Sequence, residues 1–435
     1  MKTTLSVAIF VISYALIASE KVNKTIVAVL GCAAVLLLKL VTFEQAVGAV
    51  DFNVIFLLVG MMSSAYILSK TGFFEWIAVS VAKGAKGDPV RIMMALATVT
   101  AILSAFLDNV TTVVMMVPVT ILITQLLEIS PVPFVIMEVI ASNIGGSATL
   151  IGDPPNMLIG SQSGLSFNDF LVNLAPVTLI VFIAFVMTAT FWFRKKLVVN
   201  ESVKAKVIEA DPELAIVEKG NMIKALIVMG IMLVGFAFHG ALGVKPGIIA
   251  LGGGMLMLLV CGAESEETLM KVEWSVIFFV VGMFMMISAL NVNGVIDWLG
   301  HKVLGFSGHN LFAVAVMVLW GSALITSIMD NIPFIIVTVP VIKQFVDYFA
   351  TSLGLIDPSV IQMKVAEPLW WALALGTCLG GNGTLIGASV NIVAARISAK
   401  NGYPISFLKF TKYGSVFTLQ AMIICTVYLW ARYFR

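Results

Sequence analysis

Long apolar runs separated by short polar breaks dominate the chain. In its first half they cover about 4–18, 25–42, 53–70, 132–160 and 173–193. Runs of roughly 17 to 20 residues with few charges match the hydrocarbon thickness of a bilayer. Two shorter arms, at about 91–107 and 110–127, meet at the pair Asp108-Asn109. An acid and an amide are expensive in the middle of a lipid-facing helix. The pattern therefore predicts a re-entrant helical hairpin over 91–127, its tip buried in protein and both its ends on one side of the membrane.

The pattern occurs twice. DFNVIFLLVGMM from Asp51 matches EWSVIFFVVGMF from Glu273, and SAFLDNVTTVVMMVP from Ser104 matches TSIMDNIPFIIVTVP from Thr326, both at an offset of 222 residues. At a slightly larger offset, NIGGSATLIGDPPN from Asn143 matches CLGGNGTLIGASVN from Cys378. Separate blocks in one register point to a duplicated unit. The expected organisation is a first repeat in 1–200 (hairpin 91–127, broken helix 132–160), a cytoplasmic linker in 201–221, and a second repeat in 222–435 (hairpin 311–346, broken helix 368–398). With the hairpin not crossing, each copy has five crossings, an odd number, so the second must run the opposite way through the membrane. The predicted fold class is an all-α integral membrane protein of two inverted-topology repeats, with about ten transmembrane helices, two re-entrant hairpins and two broken helices.

Loop charge orients this plan. The loops at 19–24, 70–91, 194–224, 262–273 and 396–412 share one face and hold 18 of the 26 Lys and Arg residues, which marks that face as cytoplasmic. The first hairpin is then expected to open to the cytoplasm and the second to the outside. The protein is placed as multi-pass in the cell inner (cytoplasmic) membrane, with both termini outside. The start, Met-Lys-Thr-Thr and an apolar stretch to Ala18, has some features of a secretory signal. Its counterpart at Met222–Phe238 is internal, which makes it part of the fold instead.

Composition narrows the function. The chain is 60% apolar and 11% charged, against roughly 45 to 50% and about 25% in soluble domains, and its mean hydropathy is +1.04. An ordinary soluble enzyme is excluded. A formal charge of +2, with no basic stripe, excludes a nucleic-acid partner. Cys32, Cys261, Cys378 and Cys425 stand singly with no ligand spacing, so neither a disulfide framework, a metal site nor a cofactor is expected.

Chemistry concentrates in the repeated motifs. Gly145-Gly146 with Thr149, Gly152 and Asn156 interrupts an apolar segment with residues that permit unwinding. Asp153 can then cap a new half-helix whose first position is Pro154. Gly380-Gly381, Asn382, Thr384 and Asn391 repeat the interruption. Paired broken helices meeting at the midplane are the architecture of secondary transporters. At the hairpin tips Asp108 and Asp330 are candidate proton carriers, because burial disfavours a charged carboxyl. Alternatively each merely caps its second arm and stays ionised. Asn109 and Asn331 can donate and accept toward a cation shell or a hydroxylated substrate, or can bridge the hairpin arms. Glu138 and Arg396, near segment edges, are read as interfacial. Cys378 is read as a small apolar residue rather than a ligand for a soft metalloid. No nucleophile, base and orienter set for an enzyme is visible.

These motifs resemble the arsenical-pump and P-protein branch of the ion transporter superfamily, which is related to the sodium-coupled dicarboxylate carriers. The resemblance implies a scaffold and a mobile transport unit, commonly in a homodimer, with a soluble ATPase subunit as a further partner. It implies efflux of arsenite or antimonite in exchange for H+, with substrate contacts at Asn109, Thr112, Asn143, Ser147, Thr149, Asn331, Asn382 and Thr384 and acidic coupling at Asp108 and Asp330. Asp replaces the Ser of the dicarboxylate carriers' Ser-Asn-Thr tips, which favours proton over sodium coupling. Asp153-Pro154-Pro155 becomes Ala388-Ser389-Val390 in the second copy, so the half-sites are not equivalent. No Arg or Lys lies in either motif to hold a carboxylate, which suits neutral As(OH)3. A sodium/proton antiporter and an anion transporter or channel are the other classes open.

Overall fold

The polar breaks become helix ends. Asn23 accepts hydrogen bonds from the Thr25 and Ile26 amides, Asp51 from Asn53 and Val54, and Asp88 from Arg91 with Pro89 behind it, each satisfying N–H groups a helix start leaves free. In the computed structural model, which describes residues 1–19, 21–197, 199–306 and 310–435, the first half comprises α1 (Lys2–Ala18), α2 (Lys24–Leu37), α3 (Phe43–Gly48), α4 (Phe52–Lys70), α5 (Phe73–Gly84), α6 (Pro89–Phe106), α7 (Asn109–Leu126), α8 (Val132–Gly146), α9 (Pro154–Ser163), α10 (Phe167–Asn173) and α11 (Ala175–Phe193). The connector carries α12 (Glu201–Ile208) and a turn at Pro212–Ala215. The second half comprises α13 (Lys219–Leu242), α14 (Pro246–Cys261), α15 (Ser265–Met270), α16 (Trp274–Val292), α17 (Val295–Phe306), α18 (Leu311–Thr326), α19 (Asn331–Ser352), α20 (Pro358–Ile361), a π-helical turn Gln362–Ala366, α21 (Glu367–Gly380), α22 (Ser389–Lys400) and α23 (Phe407–Leu429).

The register seen in sequence is kept in space. Helices α2 to α7 each begin 222 residues before α14 to α19, and α8 and α9 begin 235 before α21 and α22. Packing follows the same correspondence with the halves exchanged: α4 lies on α14 and α2 on α16, while α7 lies on α22 and α19 on α9. A Cβ at Gly60 would sit 2.2 Å from the Ala250 carbonyl, and one at Gly282 would sit 2.9 Å from the backbone of Ala28. These glycines let equivalent helix pairs touch backbone to backbone, a device common where helices associate in lipid.

Burial separates a core from a lipid-facing shell. Ile180, Ile183 and Met187 of α11, Ile227, Ile231 and Val234 of α13, and Leu419, Ile423 and Val427 of α23 are exposed at helical spacing, as a bilayer-facing stripe requires. Helix α8 from Phe134 to Gly146 and α21 from Pro368 to Gly380 are buried throughout. This is an all-helical, multi-pass membrane protein with its two broken helices at the centre.

Some boundaries differ from the sequence reading. The broken helices run 132–163 and 367–400, α13 begins at Lys219, and the second hairpin extends to Ser352. Helices α5 and α17 fall where loops were expected, because one short amphipathic helix beside an apolar run leaves only a brief pattern. Among the described residues eight helices are long and apolar enough to cross a bilayer, and α6, α7 and α19, which are hairpin arms, are among them. Length alone therefore does not return the ten crossings expected from the sequence. Helix α2, at 14 residues, spans only about 21 Å.

Candidate functional site

Each hairpin turns at its Asp. Asp108 precedes α7 and accepts from the Thr111 amide at 3.0 Å and the Thr111 hydroxyl at 3.2 Å. Asp330 precedes α19 and accepts from the Ile332 amide at 3.4 Å. Both acids cap, as one of the two readings held. Capping occupies only one oxygen of Asp108, whose Oδ1 is buried with no partner.

The unwound segments 147–153 and 381–388 lie against these tips. A Cβ on Gly152 would fall 2.6 Å from the Gly146 carbonyl, and one on Gly387 would fall 2.6 Å from that of Gly381. Only glycine lets the chain double back so tightly. The free carbonyls are collected by an asparagine one turn into each half-helix. Asn156 donates to the carbonyls of Gly146, Ser147 and Thr149, and Asn391 to those of Gly381 and Thr384, the last of each at 2.8 and 2.9 Å. The Thr149 hydroxyl donates to the Ala105 carbonyl and that of Thr384 to the Ser327 carbonyl, tying each broken helix to its hairpin. Gly145 and Gly380 face Ala101 and Ala323 of the hairpin arms, where a Cβ would clash. These residues build the site; their own polar groups are largely spent within it.

At the centre a chain of amides joins the halves. Asn109 donates to Asn143 at 3.3 Å and to Asp153 at 3.1 Å, and Asn143 donates to Asn382 at 2.8 Å and Asn391 at 3.1 Å. Asn109 thus bridges from tip to broken helix, and does not join the hairpin arms. Asp153 holds the cap position of α9 but makes no capping bond. That corrects the expected role, since its Oδ1 is turned to Asn109 and its Oδ2 is buried unpaired. Thr112 bonds the Asp108 carbonyl of its own helix, and Ser147 bonds the Ile144 carbonyl and the Thr178 hydroxyl. Neither points into the amide chain. Asn331 has no such partners, because Asn143 and Asp153 are replaced by Cys378 and Ala388 at the corresponding positions. Cys378 donates to Asn156 at 3.5 Å. Among the described residues no group of three His, Cys, Asp or Glu side chains is placed to hold a metal.

Sequence reasoning missed the cation. Lys24, the first residue of α2, pairs with Asp330 and also donates to Ser389 at 2.9 Å, while Ser389 donates to Asp330 at 2.8 Å. The absence of Lys and Arg from the motifs is therefore not an absence from the site. One signal was available: a cation at a helix N-terminus opposes the macrodipole, so Lys24 needs another reason to be there. The cluster lines a cavity of about 340 Å³ together with Tyr14, Asn23, Glu273, Ser275, Ile392 and Arg396. Arg396 is exposed there, consistent with an edge position. Glu138 is not interfacial. It is wholly buried, accepting from the Thr120 hydroxyl at 2.6 Å with Oε2 unpaired, because α8 runs through the protein centre.

The corresponding volume at the other tip is filled. Tyr14, Ile392 and Val393 of the cavity wall correspond to Phe236, Met157 and Leu158, all buried, and Asp108 itself is 1% exposed. Ser275 and Arg396 correspond to Asn53 and Ser161, which are bonded at 2.9 Å, while Asn53 also accepts from the Gly247 amide at 2.8 Å. Asp51, Gln162 and Lys343 form a second chain of hydrogen bonds beside them. One tip faces a cavity and the other is closed over.

Comparison with known proteins gives the family and the fold. The chain is 41% identical over 436 residues to an uncharacterised transporter of Mycobacterium tuberculosis, with 99% of each covered. It is 30% identical to the P protein of Homo sapiens over 98% of this chain and 59% of that one. The arsenical-pump side of the expected resemblance is not singled out by these relatives. The fold is that of the YdaH transporter of Alcanivorax borkumensis, whose crystal structure was described as having an unusual topology (TM-score 0.62, 15% identity, 99% and 98% covered). Residues 14–376 match the profile of the citrate transporter family, and the chain is a member of that family, within the ion transporter superfamily, and a secondary transporter.

Proposed function

We propose that the chain couples the movement of a small oxygen-rich solute to protons by alternating access, with Asp108 and Asp330 as the proton-coupling groups. The observation that supports this most directly is the inequality of two equivalent tips: Asp330 lines a cavity, whereas Asp108 is buried and the residues equivalent to Ser275 and Arg396 of the cavity wall are hydrogen-bonded to each other. A transporter stopped on one side of its cycle has this form. On this reading the halves are inverted repeats and the hairpins are re-entrant. The cavity opens to the face of Lys24, Glu273 and Arg396, which loop charge marks as cytoplasmic, and both termini lie outside.

For the cargo, Lys24 and Arg396 favour a carboxylate anion, in keeping with the name of the family. A second reading, efflux of arsenite or antimonite, draws support from the uncharged cluster Asn109, Asn143, Asn382 and Asn391, which suits a neutral hydroxylated species. The test is recovery of a pH dye in acid-loaded everted vesicles challenged separately with citrate, succinate, arsenite, antimonite and Na+, beside the Asp108→Asn/Asp330→Asn double variant. A proton flux evoked by a carboxylate and lost in the variant supports the first reading. Flux evoked by the metalloids alone moves the protein to the second. A response to Na+ alone makes it a cation antiporter, and an unchanged flux in the variant removes the two acids from the mechanism.

A further inference from the structure

The cluster at Asp330 is built only once. At the corresponding positions of the other half Lys24 is replaced by Pro246 and Ser389 by Pro154, so Asp108 lacks the equivalent cation and broken-helix hydroxyl and takes its one hydroxyl bond from Thr111 of its own helix. Lys24 also sits where its own helix repels it, and its Nζ lies 5.1 Å from the Phe279 ring centroid. Among the described residues its hydrogen-bond partners are Asp330 and Ser389. The pair is within reach of solute, the two side chains being 30% and 13% exposed. Among the described residues the other charged or titratable groups lining the cavity are Tyr14 from α1, Glu273 ahead of α16 and Arg396 from α22, with Val110 contributed by the first hairpin, and Asp153 of the first broken helix also lies close enough to Asp330 to interact with it electrostatically.

We propose that Lys24 is a shared counter-ion for which Asp330 and a carboxylate of the substrate compete. The inference rests on the reading of the chain as a proton-coupled carrier of a carboxylate. In the empty site Lys24 is paired with ionised Asp330. When a carboxylate takes Lys24, Asp330 loses its counter-charge in a poorly hydrated place and takes up a proton. Ser389 turns its hydroxyl to whichever carboxylate is ionised. The cluster starts with one cation and one anion and ends with one cation, one anion and a neutral acid, so a proton enters with the substrate. Glu273 opposes anion entry and Arg396 offsets it, leaving Lys24 to set the exchange.

The test uses the full-length purified protein with citrate as probe, above about pH 7.5 so that citrate itself carries no proton. Calorimetric titration in two buffers of different ionisation enthalpy counts protons taken up per citrate bound. The wild type is expected to take up about one, with affinity falling as pH rises. Asp330→Asn should bind citrate with no proton uptake and a flat pH dependence. Lys24→Met should lose affinity by about tenfold or more, and Lys24→Arg, which keeps the charge, should recover most of it. Wild-type proton uptake in Asp330→Asn, or wild-type affinity in Lys24→Met, would overturn the competition while leaving the transporter reading intact. If the wild type binds no citrate yet moves arsenite with protons in vesicles, the carboxylate reading itself fails, and this inference with it.

Discussion

Asn143 and Cys378 occupy the same place in the two halves, and each donates a hydrogen bond to the asparagine of the other half, Asn143 to Asn391 and Cys378 to Asn156. The position is shared but the strength is not, since an amide donates twice and a thiol weakly once. Asn143→Ala leaves the side-chain oxygens of Asn382 and Asn391 without a donor and should cost about 1–3 kcal/mol. Cys378→Ala should cost less than about 1 kcal/mol. Chemical unfolding of the purified variants in detergent checks the order, which equal losses would contradict.

Gly145 is expected to tolerate no side chain. A Cβ there would meet the Ala101 carbonyl at 2.0 Å, forcing the hairpin arm off the broken helix at a cost of about 1–3 kcal/mol or more. Gly230, inside α13, has nothing within 4 Å of its added Cβ. Gly230→Ala should be neutral or stabilise by about 0.5–1 kcal/mol through helix propensity. Thermal melts should fall for a side chain at Gly145 and hold or rise for Gly230→Ala.

Glu138 and Thr120 are a buried pair without a counterpart, because the equivalent positions hold Leu373 and Ile342. Replacing both partners of a buried, incompletely satisfied polar pair by apolar groups is often neutral or stabilising. The double change Thr120→Ile/Glu138→Leu, which copies the other half, should match or exceed the wild type in unfolding temperature. Glu138→Leu alone should fall below it by about 1 kcal/mol or more, as the Thr120 hydroxyl loses its acceptor. A double variant less stable than either single one would show that the pair is structural.

The Asn53–Ser161 bond marks the closed side and Ser275 with Arg396 the open one. Under alternating access the two pairs exchange roles. The pair Asn53→Cys/Ser161→Cys should cross-link readily in the unliganded protein and halt transport until reduced. Ser275→Cys/Arg396→Cys should cross-link only after the cavity has closed. Equal cross-linking of both pairs in one state would contradict the exchange.

Much of this was legible in the chain. The two Asp-Asn tips, the glycine breaks and the 222-residue register were visible because duplication writes each signal twice. What stayed hidden is what occurs once. Lys24 looked like a charge flanking a span, and nothing local says that α2 delivers it to a tip more than three hundred residues away. Glu138 looked like an edge residue because its segment also had to be read without knowing that α8 is enclosed by protein on every side. The fate of the candidate ligands was equally obscure: Thr112, Ser147, Thr149 and Thr384 satisfy backbone carbonyls, a use that composition does not distinguish from binding.

The exchange of helix partners reaches beyond transport. Helix α4 finds its closest neighbour in α14, and α2 finds its own in α16, so neither half encloses its own interior. Severed at the connector, the two pieces should be unstable apart and reassemble when made together. If the halves are inverted repeats, as proposed, a gene encoding one half alone would yield a working protein only by inserting copies of its product both ways up in the same membrane, each completing the other.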